Sequence, residues 1–227
     1  MTIVYHHELT QGTEEWLQAR CGLLTASEIK LILTPTLKMA SNDKERAHLY
    51  ELLSQRITQH VEPTYIGGDM LRGQEEEILA KVAYATHYAP VEDVGFITND
   101  SFGFMLGYSP DALVGDDGLI ECKSRRQKYQ TQTIIEGEVP DEYTLQLQAG
   151  LLVSGRKWID FVSYCGGLPM VTIRVLPNEE IQTAIITAAT AFEARLAEKL
   201  TAYRARLSEK GARLIPTERK IEVEMFV

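Results

Sequence analysis

Residues 109–123, SPDALVGDDGLIECK, contain two short apolar runs that flank a turn. The turn sequence GDDG at 115–118 is typical of a tight connection between antiparallel strands, so the stretch is predicted to form a β-hairpin. The length of its loop is open. A loop of two residues would pair Ala112 with Glu121 and would place the side chains of Asp111 and Glu121 on opposite faces.

A loop of three residues, with Gly118 in the left-handed conformation, is the preferred alternative. It pairs Leu113 with Glu121 and Asp111 with Lys123, so the charged side chains of Asp111, Glu121 and Lys123 share one face. This arrangement also buries a set of apolar side chains on the opposite face. That set comprises Ala112, Val114, Ile120 and Cys122.

The charged face has the composition of a metal-dependent hydrolytic site. Carboxylates such as Asp111 and Glu121 are hard oxygen ligands for Mg²⁺, and a cation such as Lys123 positions or helps to deprotonate an attacking water. Metal-assisted phosphodiester hydrolysis uses this combination of groups. An ordinary solvated hairpin is the alternative interpretation, because matches as short as D…ExK recur by chance.

The SPD and ECK segments of the hairpin belong to a longer series of motifs. In chain order the series is RCGLLTAS (20–27), GQEEE (73–77), SPD (109–111), ECK (121–123) and QLQ (146–148). Over roughly residues 12–176, this series resembles the lambda exonuclease family, also called the YqaJ-type viral recombinases, of the PD-(D/E)xK nuclease superfamily. The resemblance implies an α/β fold with a restriction-endonuclease-like core, in which a central mixed β-sheet is flanked by helices.

The resemblance assigns catalytic roles to a group of polar residues, in which Lys123 would orient the attacking water. The group comprises Glu77, Asp111, Glu121, Lys123 and Gln146. Asp111 and Glu121, with the backbone carbonyl of Cys122, are implied to bind two Mg²⁺ ions, and Mn²⁺ would suit the same oxygen ligands. Glu77 is one of three adjacent acids, so spacing alone does not distinguish it from its two neighbours.

A second group is implied to bind the terminal phosphate of a DNA strand. In the family that this chain resembles, the residues matching Arg20, Ser27 and Ser109 line a pocket for the 5′-phosphate. Arginine offers a planar fork of donors, and a hydroxyl at a helix N-terminus adds another. Thr25 and Ser27 are alternatively mere helix caps, because TASE at 25–28 is typical of a capping box.

Candidate DNA contacts are found after the hairpin and on the QLQ helix. The candidates are Arg125, Arg126, Lys128 and Tyr143. A phosphate-contacting role suits the basic members because they lie beside the ExK pair, and a solvated loop is the alternative. The family also has an apolar residue that parts the two strands at the duplex end, and Leu37 or Met39 is the candidate here.

Composition and charge bound the class of protein. The chain has 227 residues, a net charge of −9 and three cysteines without paired spacing, which favours a single globular domain with free thiols. No signal peptide or membrane-spanning apolar run is visible, so a cytoplasmic location is expected. A negative net charge is unusual for a DNA-binding protein, so the distribution of charge must matter more than its sum.

The expected layout is one nuclease domain over residues 1–227. Helices are predicted within 12–90, the catalytic sheet within 91–176, and a long helix with a tail within 177–227. The end of the tail, 220–227, alternates in polarity and is predicted to be a strand.

Helical periodicity predicts which helix faces are buried. For the helix at 42–60 the predicted inward residues are Ala47, Tyr50, Leu53 and Ile57, and for the helix at 69–88 they are Met70, Ile78, Val82 and Ala85. His48 is expected to be solvated. Gly155 is predicted to end a helix and Asn178 to begin the long C-terminal one.

These expectations together describe an Mg²⁺-dependent exonuclease. It would processively degrade the 5′-ended strand of linear double-stranded DNA with 5′-phosphate ends, releasing mononucleotides and leaving a 3′ overhang for a single-strand annealing protein. The resemblance implies a homotrimeric ring around the DNA and a phage or prophage origin in a bacterial host. A structure-specific or restriction-like endonuclease and a non-catalytic DNA-end-binding recombination adaptor are the alternatives.

Overall fold

The computed structural model describes residues 2–63 and 67–219, apart from the side chains of Asp69 and Met70. Its elements, in chain order, are β1 (Ile3–His6), α1 (Glu14–Arg20), β2 (Leu24–Thr25), a 3₁₀ turn (Ala26–Glu28), α2 (Ile29–Ile32), α3 (Asp43–Thr58), α4 (Gly68–His87), β3 (Phe96–Asn99), β4 (Leu106–Tyr108), β5 (Ala112–Val114), β6 (Gly118–Ser124), α5 (Gln127–Glu136), α6 (Asp141–Ser154), β7 (Trp158–Tyr164), β8 (Val171–Val175) and α7 (Glu179–Leu207). The strand predicted at 220–227 and the inward position of Met70 lie outside the described residues.

The strands form two four-stranded sheets. The first has the order β1-β3-β4-β2, in which β2 and β4 run parallel. The second has the order β5-β6-β7-β8, in which β6 and β7 run parallel. Both sheets are mixed and helices flank them, which confirms the α/β class. The SPD segment leads the chain from β4 of the first sheet to β5 of the second.

The hairpin β5–β6 differs from its predicted register by two residues. Val114 pairs with Gly118, and Ala112 pairs with Ile120, so the predicted pairing of Leu113 with Glu121 is wrong. The left-handed residue of the loop is Gly115, with φ of 52°, and not Gly118. A side chain at Gly118 would approach the ring of Trp158 on β7 to 2.1 Å, so this position requires glycine for packing rather than for the turn.

A shift of two residues keeps every side chain on its predicted face, because side chains alternate along a strand with a period of two. The predicted apolar set of the hairpin is buried in a small core with Ala80 and Tyr84 of α4. The opposite face of β6 contributes Leu119 to the larger core, which α6 and α7 cover with residues such as Leu147 and Phe192.

Several helix boundaries follow their predicted caps. Thr25 and Glu28 form the capping box before α2, and the side chain of Asn178 accepts a hydrogen bond from the backbone of Ile181 at the start of α7. Gly155 ends α6 in the left-handed conformation, with φ of 68°. Within residues 2–63 and 67–219, no helix combines the length and apolarity that crossing a lipid bilayer requires.

The buried face of α3 agrees only in part with the prediction, because Leu53 is buried and Ile57 packs against the larger core but Ala47 and Tyr50 are exposed. Tyr50 is 54% exposed, and the buried residues are Glu45, His48, Leu49, Leu52 and Leu53. The reason is the neighbouring helix α7. It supplies Arg195, whose Nη1 donates to Glu45 at 2.5 Å, and Phe192, whose ring stacks on His48 at 5.8 Å. The expectation that His48 is solvated is therefore wrong.

The buried face of α4 is also different. Ile78 and Val82 are about 60% exposed, and Ala85 is exposed as well, whereas Ala80 and Tyr84 are buried. Polar contacts to β6 and the buried Tyr84 determine which face of α4 packs on the second sheet. Apolar periodicity alone therefore predicts the wrong face of this helix. Other elements, among them β1, β2 and α5, were not predicted from the sequence, and a solvated loop was the alternative interpretation for the basic residues at the start of α5.

Candidate active site

Asp111, Glu121 and Lys123 converge at the base of the hairpin. Asp111 lies immediately before β5, while Glu121 and Lys123 project from the same face of β6. Glu121 is only 2% exposed, and the Nζ of Lys123 donates a hydrogen bond to its Oε1 at 2.7 Å. One Oδ of Asp111 accepts the backbone N–H of Cys122, which fixes the carboxylate against β6.

Two further side chains hold the carboxylate of Glu121. The hydroxyl of Tyr108, at the end of β4, donates to Oε2 at 2.7 Å. The side-chain amide of Gln146 on α6 donates to Oε1 at 2.5 Å. Three different elements therefore orient one buried carboxylate, and Gln146 lies beside Lys123, as the motif series led us to expect.

The three adjacent acids of α4 have different environments in the structure. Glu75 is exposed. Glu76 accepts hydrogen bonds from the hydroxyl of Ser124 and the backbone N–H of Gly166, so it anchors α4 to the second sheet. Glu77 is the acid that faces the site, where it interacts with Asp111 and Glu121. Glu77 is thus the member of the row that is placed to act with the hairpin carboxylates.

The carboxylates of the site crowd one another. Burial raises the pKa of Asp111 well above its usual range, and the charges of Glu121 and Glu77 raise it further. Burial also raises the pKa of Glu77, and the neighbouring charges of Lys81 and Lys123 oppose the effect. Burial alone would lower the pKa of Lys123, but the charges of Glu121 and Asp111 outweigh it and the pKa rises. The site has an excess of negative charge that a bound cation would relieve.

The oxygen donors of the site fit an Mg²⁺ ion that is held by only a few protein ligands. Among the described residues, no three Asp, Glu, His or Cys side chains form a complete metal cage. The expected ligands are instead two carboxylates, Asp111 and Glu121, and the carbonyl of Cys122, which are all oxygen donors. Mg²⁺ usually takes one or two carboxylates and completes its shell with water and substrate phosphate, so this incomplete set is suitable.

A second cluster brings Arg20 and Ser109 together. Nη1 of Arg20 donates to the hydroxyl of Ser109 at 3.1 Å, and Nη2 donates to Thr25 at 3.4 Å. Ser27 joins the cluster through Thr25, at 3.3 Å between their hydroxyl oxygens. The guanidinium lies 4.4 Å from the ring centre of Trp16, whose Nε1 donates to Ser109 at 3.0 Å. The three predicted phosphate ligands therefore share one site.

The cap alternative applies to Thr25 rather than to Ser27. Thr25 forms the capping box with Glu28, while Ser27 lies inside the 3₁₀ turn and takes no part in that capping box. Trp16 was not predicted as a member of the cluster. The signal was its position four residues before Arg20, which places both on one face of α1.

A cleft of about 870 Å³ extends from the Arg20 cluster to Glu77. Its walls include Trp16, Arg20 and Thr25 of the phosphate cluster and Glu77 of the acidic cluster. The SPD segment links the clusters a second time, because Ser109 and Asp111 are only two residues apart and lie within about 7 Å along the chain. A strand end bound at Arg20 would thus lie close to the carboxylates.

After the hairpin, Arg125 and Arg126 form a short connection, and helix α5 begins at Gln127. Arg126 precedes α5, and Lys128 lies on its first turn with its Nζ 4.6 Å from the ring centre of Tyr129. Arg125 is buried and is bound to Tyr143. The described walls of the cleft include neither of the two apolar candidates for strand separation, so that role stays a prediction.

Fold and site together define a nuclease of the viral recombinase class. The chain belongs to the YqaJ-like viral recombinase domain family, which matches residues 15–157. This family is the one that the motif series resembles, so the expected membership is confirmed.

Among solved structures, the chain is similar to the alkaline exonuclease LHK-Exo from Laribacter hongkongensis. The two share 32% sequence identity with a TM-score of 0.77, over 86% of this chain and 98% of that one. The complex of LHK-Exo with dAMP matches equally, with a TM-score of 0.78. A phage-related exonuclease from Haemophilus somnus 129PT, at 12% identity and a TM-score of 0.55 over 78% of this chain and 96% of that one, shares the fold. No curated protein sequence matches the chain.

Proposed function

We propose that this nuclease is an Mg²⁺-dependent exonuclease that degrades the 5′-ended strand of linear double-stranded DNA. It releases mononucleotides and leaves a 3′ overhang for a single-strand annealing protein. The observation that carries the proposal is the cleft that joins Arg20 to Glu77. A site for a terminal phosphate beside a hydrolytic site is what an enzyme that starts at strand ends requires.

The residues divide the reaction between them. Arg20, with the hydroxyls of Ser109 and Ser27, binds the 5′-phosphate and sets the position of the terminal nucleotide. Lys123 and Gln146 hold the attacking water next to Glu121. Mg²⁺ bound by the two carboxylates and the carbonyl of Cys122 would lower the pKa of that water and neutralise charge on the scissile phosphate.

The likeness to LHK-Exo supports a deoxynucleotide substrate, since that exonuclease has been crystallised with dAMP. The endonuclease alternative has less support because the Arg20 cluster recognises an end. The adaptor alternative has less support because Asp111, Glu121 and Lys123 are all present and lie together. A homotrimeric ring, processive action and a phage-encoded protein in the bacterial cytoplasm complete the proposal by family membership.

The test is digestion of a linear duplex that is labelled on each strand separately. The ends carry either 5′-phosphate or 5′-hydroxyl, a closed circle is included, and Mg²⁺ is present or replaced by EDTA. We expect Mg²⁺-dependent release of mononucleotides from the 5′-phosphorylated strand, with the circle intact. Cleavage of the circle would support the endonuclease, and end binding without cleavage would support the adaptor.

Two variants connect this activity to the site. Lys123→Ala should abolish cleavage while linear DNA is still bound. Lys157→Ala is the matched control, because Lys157 is an exposed lysine that binds Asp117 at the other end of the hairpin, and it should cleave like wild type. Arg20→Gln should erase the preference for 5′-phosphate over 5′-hydroxyl ends, which separates end recognition from hydrolysis.

A further inference from the structure

Arg125 is a buried cation at the edge of the site. It directly follows β6, and its side chain is 7% exposed. Its Nη1 donates to Oε1 of Glu142 and to the hydroxyl of Tyr143, both at 2.6 Å. Its Nε is sealed from solvent and has no hydrogen-bond partner among the described residues. A phosphate of bound DNA therefore has no access to that donor.

Aromatic rings enclose the same guanidinium. Its central carbon lies 5.1 Å from the ring centre of Tyr129 on α5 and 5.2 Å from that of Tyr143 on α6. Cations in this position over a ring are attracted by its π-electrons, most strongly when they are shielded from water. Arg125 thereby ties three elements together: the end of β6, the first turn of α5 and the first turn of α6.

The first turn of α6 leads directly to the catalytic group. The ring of Tyr143 lies 5.6 Å from the Nζ of Lys123 and packs on Phe161 of β7 at 5.3 Å. Gln146 is three residues later on the same face of α6 and donates to Glu121 at 2.5 Å. The position of α6 thus determines where Tyr143 and Gln146 meet Lys123 and Glu121.

We propose that Arg125 is a positioning residue of the nuclease reaction and not a DNA contact. Its guanidinium fixes Tyr143 and the start of α6, so that Tyr143 confines Lys123 and Gln146 reaches Glu121. This inference rests on the proposed function, because the chemistry that Arg125 supports is that of the same site. Lys128 is different, because its side chain is exposed and its ammonium group is accessible to a DNA phosphate.

Arginine suits this role because its planar guanidinium lies against two rings while one of its nitrogens, Nη1, donates to two partners. Lysine keeps the charge but offers a single compact ammonium. A simple phosphate contact would therefore tolerate lysine at position 125, whereas the positioning role would not. The Arg125→Lys variant consequently separates the two roles without removing a charge.

The experiment compares Arg125→Lys and Arg125→Met with Lys128→Met and wild type on the 5′-phosphorylated linear duplex. We measure the single-turnover rate at saturating DNA. We also measure the dissociation constant for DNA in the presence of EDTA and the dependence of that constant on salt concentration. For both Arg125 variants we expect the rate to fall on the order of a hundredfold, the loss typical of a small displacement of reacting groups. Their dissociation constants and salt slopes should match wild type.

Lys128→Met should give the opposite pattern. Its DNA binding should weaken and its salt slope should decrease by about 1, the change expected for one lost phosphate contact, while the saturated rate is kept. The inference is overturned if Arg125→Lys cleaves at the wild-type rate, or if Arg125→Met shows the reduced salt slope.

If Arg125→Met has a thermal unfolding midpoint below the assay temperature, less disruptive variants are used in its place. Tyr143→Phe removes one acceptor of Arg125 at the helix start, and Glu142→Gln removes the negative charge of the other acceptor. Both should lower the saturated rate with unchanged DNA affinity, and combining Glu142→Gln with Arg125→Lys should cost less than the sum, because the residues act as one unit. Additive losses would overturn the inference. If wild type itself fails to cleave DNA, the proposed function fails instead.

Discussion

The carboxylate of Glu121 is held in place by three hydrogen-bond donors. Its two carboxylate oxygens accept hydrogen bonds from Tyr108, Lys123 and Gln146, although the residue is 2% exposed. Burying a carboxylate is costly unless it is paired or hydrogen-bonded. The three donors therefore offset the cost of burying Glu121 and orient its oxygens, which is the condition for binding a metal ion.

The hydroxyl of Tyr108 should matter for both activity and stability. Tyr108→Phe removes a hydrogen bond to a charged group, typically about 1.5–3 kcal/mol, so the cleavage rate should fall by about tenfold or more. Unfolding in urea should show a lower free energy as well. Tyr50→Phe is the control, because Tyr50 is 54% exposed, and both quantities should match wild type. Wild-type rates in Tyr108→Phe would contradict this role for the hydroxyl.

The raised pKa of Asp111 predicts how stability depends on pH. A carboxyl with a higher pKa in the folded state binds a proton on folding, so its contribution is complete at low pH and is lost as pH rises through the raised pKa. In EDTA, Asp111→Asn should therefore be more stable than wild type at about pH 8, and the difference should close towards about pH 4. Thermal unfolding across pH measures this.

Mg²⁺ should reverse that difference. A ligand that binds only the folded state raises the unfolding midpoint with its concentration. Wild type should gain stability as Mg²⁺ is added, and Asp111→Asn should gain much less. Equal gains would show that Asp111 does not bind the ion, whatever the cleavage assay reports.

At the scale of elements, α4 presents different acids to different neighbours. Glu77 faces the carboxylates of the hairpin, whereas Glu75 faces solvent. Glu77→Gln should raise the Mg²⁺ concentration for half-maximal cleavage by about tenfold or more, the usual cost of losing a supporting group near a metal. Glu75→Gln should leave the Mg²⁺ titration unchanged. Equal effects of the two changes would contradict the orientation of α4.

The contact between α6 and β4 should tolerate no added atom. A Cβ on Gly150 would lie 2.7 Å from the ring of Tyr108, and the bond from Tyr108 to Glu121 prevents that ring from retreating. Replacing a helical glycine by alanine usually gains about 1 kcal/mol, but overpacking costs about 1–3 kcal/mol, so Gly150→Ala should be destabilising. It should also slow cleavage through Tyr108.

Gly73 provides the matched control for that substitution. It lies inside α4, and an added Cβ would meet nothing within 4 Å. Gly73→Ala should therefore show only the helical gain of about 0.5–1 kcal/mol. Urea unfolding of both variants tests the pair, and a stabilised Gly150→Ala would show that the ring of Tyr108 is free to move.

At the scale of the whole molecule, the net charge of −9 must be reconciled with a polyanionic substrate. Net charge of this sign repels DNA at long range, so affinity alone is a poor basis for processive action. A ring closed around the duplex would keep the enzyme on its substrate without strong attraction. The proposed trimer therefore solves a problem that the composition poses.

The assembly is directly measurable. Light scattering or sedimentation without DNA should give three times the mass of the 25.5 kDa chain. After the enzyme has bound a labelled duplex, dilution into excess unlabelled DNA should not stop digestion of the labelled duplex. The enzyme can leave that duplex only if the ring opens. A monomer that digests DNA distributively would contradict the ring.

Much of the site was predictable because the sequence carries it in short-range patterns. Alternation along the hairpin placed Asp111, Glu121 and Lys123 on one face even though the predicted register was shifted by two residues. Caps such as Asn178 and Gly155 act within a turn of their helices, so local sequence suffices to find them. The motif series was by itself sufficient to indicate the family, because the order and spacing of its residues are properties of the sequence.

Tertiary structure alone decided which faces are buried and which donors surround the site. The bond from Tyr108 of β4 to Glu121 of β6 and the bond from Trp16 of α1 to Ser109 join separate elements, and no local pattern shows these contacts. Arg125 has the sequence context of a solvated cation, yet α5 and α6 enclose it. His48 is likewise buried by α7. Burial of a polar side chain depends on partners from distant segments, and those partners meet only when the chain is folded.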